Sequence, residues 1–157
     1  IDPGDEVIIP NPGFPIYESV VNYLGGKSVA LPLLEDKDFN FSIDDLKKII
    51  TSKTKLIIIN SPQNPTGGVL TREILEAMAK LCVENDLWVL SDEIYDNIIY
   101  EGQHVSITKF PGMPERTVIL NGCSKSYAMT GWRLGWAVTK NRQMAEYLEQ
   151  LIINDVC

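Results

Sequence analysis

Short apolar runs recur along the chain between turns rich in proline, glycine and asparagine, and between those runs the apolar positions shift to a three-to-four spacing. Val7 to Ile9, set between Gly4-Asp5 and Pro10-Asn11-Pro12-Gly13, reads as a buried strand ending in a turn. Pro15 opens a helix from about Ile16 to Leu24, stopped by Gly25-Gly26, and Ser28 to Leu31 resumes as a strand. Ser42, with Asp45 three residues on, is expected to cap a helix whose Ile43, Leu46, Ile49 and Ile50 share a face. The Leu-Ile-Ile-Ile core of Lys55 to Asn60 suits a strand covered on both faces. Thr71 is expected to cap the longest helix, with Ile74, Leu75, Met78, Leu81 and Cys82 forming one core-facing stripe up to Asn85. Trp88 to Ser91, Thr117 to Asn121 and Leu134 to Val138 read as strands, and Asn141 to Ile153 as a helix.

This alternation predicts an α/β fold of three layers, with helices on both faces of a mostly parallel sheet. A length of 157 residues with 45% hydrophobic content suits one domain with a sizeable core, and no repeat or low-complexity tract divides it. A net charge of -7 leaves no basic stripe to meet nucleic-acid phosphates or an anionic membrane, so small metabolites are the expected partners. The three cysteines, Cys82, Cys123 and Cys157, form no Cys-x-x-Cys pair, which argues against a disulfide framework or a zinc site and for a reducing, cytoplasmic setting. No apolar run approaches the ~20 residues of a membrane span, and Asp2, Asp5 and Glu6 make the start unlike a signal peptide. His104, the single histidine, rules against a histidine-based triad and is expected in a surface loop.

In such sheets ligands bind beyond the carboxyl ends of the strands, and four of these ends carry unusual sequences. Lys125 lies eight residues before Arg133 in Ser124-Lys125-Ser126-Tyr127-Ala128-Met129-Thr130-Gly131-Trp132-Arg133. A primary amine can form an imine with an aldehyde cofactor, and a planar guanidinium suits a phosphate. Asp92 and Tyr95 follow an apolar strand, where a carboxylate needs a positive partner such as a protonated pyridine nitrogen. The competing reading is that Asp92 caps a helix with Glu93 in its first turn. Asn64-Pro65-Thr66-Gly67 reads either as an ordinary turn or as a device aiming the Asn64 amide at a ligand. Phe14 is either a core aromatic or a stacking surface, and Trp132 and Trp136 are expected in the core.

Pro3-Gly4-Asp5-Glu6-Val7, Asn64-Pro65-Thr66-Gly67, Ser91-Asp92-Glu93-Ile94-Tyr95 and Ser124-Lys125 through Gly131-Trp132-Arg133-Leu134-Gly135 together resemble the class I/II aminotransferases, of fold-type I among pyridoxal phosphate enzymes. The resemblance runs from Pro3 to about Ile153. It implies that residues 1–157 are an incomplete, cofactor-binding large domain, keeping six strands of a seven-stranded sheet with one antiparallel strand near 134–138. It implies pyridoxal 5'-phosphate as cofactor, with Lys125 as Schiff-base lysine and proton shuttle, Asp92 at the pyridine nitrogen and Tyr95 and Asn64 at the ring hydroxyl. Arg133 and Ser124 would hold the phosphate and Phe14 would stack on the ring. Relatives tend to have cis bonds at the matches of Asn11-Pro12 and Asn64-Pro65, and several place a hydroxyl where this chain has Gly122. The implied activity is transfer of an amino group from an aspartate-like or aromatic L-amino acid to a 2-oxo acid, by a homodimer. The upstream phosphate loop and the downstream arginine for the substrate carboxylate fall outside these residues, so the segment alone is expected to be inactive. A carbon-sulfur lyase, another fold-type I enzyme, or a regulatory domain fused to a DNA-binding segment are the alternatives.

Overall fold

The computed structural model describes residues 1–154. Its elements in chain order are β1 (Glu6–Asn11), α1 (Ile16–Tyr23), β2 (Lys27–Pro32), α2 (Ile43–Ile49), β3 (Thr54–Asn60), α3 (Arg72–Glu84), β4 (Trp88–Asp92), β5 (Thr117–Gly122), β6 (Gly135–Val138) and α4 (Arg142–Asn154). The strands form one sheet in the order β2-β1-β3-β4-β5-β6. All pairs are parallel except β5 with β6, which is antiparallel. Fold class and the antiparallel strand near 134–138 are therefore as anticipated.

Handedness explains the layers. The chain steps from β1 to β2 in one direction, then crosses back over β1 to β3 and continues to β4 and β5. Right-handed crossovers place helices on opposite faces when the direction of travel reverses. Accordingly α1 covers one face, where Tyr17 and Val21 pack with Val7, Ile9 and Ile58. The other face carries α2, α3 and the 107–113 segment, whose Leu46, Leu75, Met78, Cys82, Ile107, Phe110 and Met113 pack with Ile8, Leu31, Ile57, Ile59 and Val89. Alternate residues of β1 and β3 thus feed different cores, the consequence of a two-residue side-chain period in strands buried on both faces. Met78 and Cys82 are fully buried. Pro10 extends β1 beyond the expected Ile9; lacking an N–H, it lies past the last β1–β3 pair and runs beside β2 only.

Three local expectations are corrected. Ser42 precedes α2 in extended conformation, but its side chain makes no capping bond, whereas the Thr71 hydroxyl accepts from the Ile74 amide at 3.3 Å. Trp132 and Trp136 are not core residues: they are 73% and 43% exposed, because they lie at the edge strand β6 and the turn before it, beyond the helices that cover the centre of the sheet. Leu134 lies outside β6, its carbonyl accepting from the Cys123 amide at 3.0 Å. The peptide bonds Asn11-Pro12 and Asn64-Pro65 are cis, as is Ser61-Pro62. Cys157 lies outside the described residues.

Candidate functional site

The carboxyl ends of β1, β3, β4 and β5 open into a cleft of about 360 Å³. Phe14, Asn64, Asp92, Tyr95, Ser124, Lys125 and Arg133 all line it, together with Tyr17, Asn60, Asn121 and Thr130. Topology accounts for this convergence. Parallel strands deliver Phe14, Asn64, Asp92 and Lys125 to the same end of the sheet, and the antiparallel return into β6 brings Arg133 back to that end. Lys125 and Arg133 occupy one hairpin loop, closed where Gly122 pairs with Gly135. A more open groove of about 750 Å³ adjoins it and shares Asn64 and Tyr95, but it is lined by Glu35, Asp38 and Glu101 and by no lysine or arginine.

Hydrogen bonds fix the floor of the cleft. Asn60, the last residue of β3, donates through Nδ2 to the Asp92 carbonyl at 3.0 Å and accepts from the Asn64 amide at 2.8 Å. One buried side chain thereby sets the distance between two candidate ligands. The amide of Ser61 donates to the same Asp92 carbonyl at 3.1 Å. Gln63 donates to the Pro12 carbonyl at 2.8 Å and accepts from both the amide and the hydroxyl of Thr66, so the loops after β1 and β3 are tied together. Asp96 accepts from Asn121 at 2.9 Å and from Ser126 at 3.3 Å, tying the segment after β4 to the lysine loop.

The Asp92 carboxylate accepts at Oδ2 from the Tyr17 hydroxyl at 2.6 Å and at Oδ1 from the Ile94 amide at 3.2 Å. No helix begins at the end of β4, so the Ile94 bond is a local turn contact and not the helix cap considered above. Burial, and then the negative Asp92 beside it, push the Tyr17 hydroxyl above its ordinary pKa. Lys125 Nζ stands 5.6 Å from the Tyr95 ring centroid. Arg133 donates to the Thr130 carbonyl at 3.2 Å, and Thr130 donates to the Ser124 carbonyl at 3.1 Å. Arg133 is held at φ 49°, in the left-handed region disfavoured for a side chain of this size. Phe14 is 46% exposed at the cleft, not a core aromatic, and meets Tyr17 edge-to-face with centroids 5.9 Å apart.

His104 is the clearest departure from expectation. It is not a surface residue: its side chain is 16% exposed and Nε2 lies 2.7 Å from Glu93 Oε2. Glu93 also accepts from Ser91 at 2.9 Å and from Ser106 at 2.8 Å. Burial pushes the Glu93 carboxyl up, but its hydrogen bonds to His104, Ser106 and Ser91 and the charge of His104 outweigh this and hold it below the usual carboxylate value. The sequence offered no signal for this pairing. Asn60 and Asn121 did carry one, each being a polar residue at or near the end of an apolar strand.

Residues 1–154 match the family described as aminotransferase class I and II. The chain belongs to this family. It is 46% identical over 155 residues to an aspartate aminotransferase of Pyrococcus abyssi, covering 98% of this chain and 40% of that protein. An arginine–pyruvate transaminase of Pseudomonas aeruginosa is 44% identical over 138 residues, covering 88% of this chain and 35% of that one. Among solved structures, an aromatic aminotransferase from Pyrococcus horikoshii superposes with a TM-score of 0.87 at 48% identity, over 90% of this chain and 38% of that chain. The chain thus spans about 40% of the length of the first of these aminotransferases.

The donor set suits the planar, phosphorylated aldehyde that a class I and II aminotransferase implies. Neither Lys125 nor Arg133 forms an ion pair among the described residues, and Arg133 spends one guanidinium nitrogen on Thr130, leaving donors for an anion. Each Asp92 oxygen, with one acceptor site used, retains another for a ring N–H.

Proposed function

We propose that the full-length protein is a pyridoxal phosphate-dependent aminotransferase that moves an amino group from an L-amino acid, aspartate-like or aromatic, to a 2-oxo acid. The observation that carries this reading is the meeting of Lys125, Asp92, Tyr95, Asn64, Ser124, Phe14 and Arg133 around one cleft of about 360 Å³. Residues 1–157 serve as its cofactor-binding large domain, and the cofactor supplies an electron sink for the pair released at the substrate α carbon.

Lys125 would hold the cofactor through its Nζ amine and, when free, would take the proton from the substrate α carbon. Asp92 would pair with the ring nitrogen through the acceptor sites its carboxylate keeps open to the cleft. Tyr95 and Asn64 would hydrogen-bond the ring oxygen, Arg133 and Ser124 would hold the phosphate, and Phe14 would offer its exposed face to the ring. Aspartate-like and aromatic donors are favoured because relatives named for both match this chain closely. We place the protein in the cytoplasm as a homodimer; the former is supported by the lack of any Cys-x-x-Cys pair in the sequence, the latter by the family resemblance alone. No helix is long and apolar enough to cross a membrane among the described residues.

Borohydride reduction of the cofactor-loaded full-length protein is expected to attach the label at Lys125, and Lys125→Ala is expected to abolish both the label and keto-acid formation. A label mapped to another lysine would overturn the assignment. Ammonia and pyruvate as products, in place of a keto acid and a new amino acid, would favour a lyase.

A further inference from the structure

We propose that Tyr17 is a positioning residue for the cofactor, acting through Asp92 and Phe14, which it joins to one immobile side chain. This rests on the pyridoxal phosphate reading above and adds a residue to which that reading gave no role. Tyr17 lies in the first turn of α1, 75 residues from Asp92 in sequence, and its hydroxyl donates to Asp92 Oδ2 at 2.6 Å. That distance is typical of an O–H donor meeting an ionised carboxylate.

The rest of Tyr17 is anchored. It is 7% exposed and packs with Val7, Ile9, Val21 and Ile58, so the ring cannot swing without opening that core. Among the described residues it makes the one hydrogen bond to the Asp92 carboxylate that comes from another element; the other, from Ile94, is local. Without Tyr17 the carboxylate would be held only by the longer, local bond from the Ile94 amide. The same ring meets Phe14 edge-to-face, at 77° between planes, and so also supports the aromatic surface offered to the cleft.

Two consequences follow for the cofactor site. Because burial and the adjacent Asp92 push the Tyr17 hydroxyl above its ordinary pKa, it remains a donor throughout the neutral range. Fixing the carboxylate also orders it before the cofactor arrives, which lowers the cost of binding.

The test is a double-mutant cycle in the full-length protein, read as the pyridoxal phosphate dissociation constant of the apo form. Tyr17→Phe keeps the buried ring and its contact with Phe14 and removes the hydroxyl alone. It is expected to weaken binding about ten-fold, the scale of a hydrogen bond to a charged group. In an Asp92→Ala background the same change is expected to have less than about a two-fold effect, because no carboxylate remains to position. The absorbance of the bound cofactor in Tyr17→Phe is expected to shift its pH dependence, which a packing defect would not do. Cofactor affinity unchanged in Tyr17→Phe, or weakened equally in both backgrounds, would overturn this inference alone. A wild-type protein that binds no cofactor would overturn the functional reading as well.

Discussion

Gly122 shows how one residue can be settled by its neighbours. A Cβ added there would stand 2.9 Å from the Leu134 carbonyl oxygen and 3.0 Å from Gly135 Cα, where β5 and β6 close the lysine loop. A side chain at this position would press on the backbone of Leu134 and Gly135. Gly122→Ser is expected to destabilise the protein by about 1–3 kcal/mol, the usual range for overpacking, measured by urea unfolding. Glu93 gives a second case. Glu93→Gln is expected to cost about 1–3 kcal/mol, since it leaves the pairing with His104 and the donors Ser91 and Ser106 poorly met. The folded pKa of Glu93 is lowered, so its stabilisation is fully present above the unfolded carboxylate pKa and is lost as pH falls through the folded value. The gap between wild type and Glu93→Gln should therefore narrow on acidification below about pH 4, as followed by unfolding at a series of pH values. A gap that widened in acid would contradict the assignment. Most of the candidate ligands were legible in the sequence because they stand just beyond an apolar run, and Arg133 because of its spacing from Lys125. Their supporting residues were mostly not: nothing local says that Tyr17 reaches Asp92, or that His104 turns inward to Glu93.

Elements were legible wherever a period was long enough to assert itself. The stripe of Leu75, Met78, Leu81 and Cys82 repeats over about two turns and is buried as read, while Ile74, read with them, is half-buried. Capping was less secure, because the same residue types occupy caps and plain turns. Ser42 and Thr71 separate the two outcomes. Thr71→Ala is expected to cost about 1 kcal/mol, while Ser42→Ala is expected to lie within about 0.5 kcal/mol of wild type, because only Thr71 has a hydrogen bond to lose. Chemical denaturation of the two variants side by side decides this; equal losses would show that the caps are equivalent in solution. The β5–β6 hairpin is the element on which the candidate site most depends, since its antiparallel return places Arg133 at the same end of the sheet as Lys125.

At the scale of the whole molecule, a reversal in strand order divides two cores and gathers loops from four strands at one end. The sequence by itself determined the alternation of strand and helix, the α/β class, and which polar residues stand at strand ends. These follow from periodicities of two and of three to four residues, which are properties of the local chain. Tertiary structure alone decided the order β2-β1-β3-β4-β5-β6, the inward turn of His104 to Glu93, the exposure of Trp132 and Trp136, and the bond from Tyr17 to Asp92 across 75 residues. Those outcomes depend on which faces find partners when all elements pack at once. No local pattern encodes them, because the same apolar strand serves equally well beside either neighbour until handedness and core packing select one.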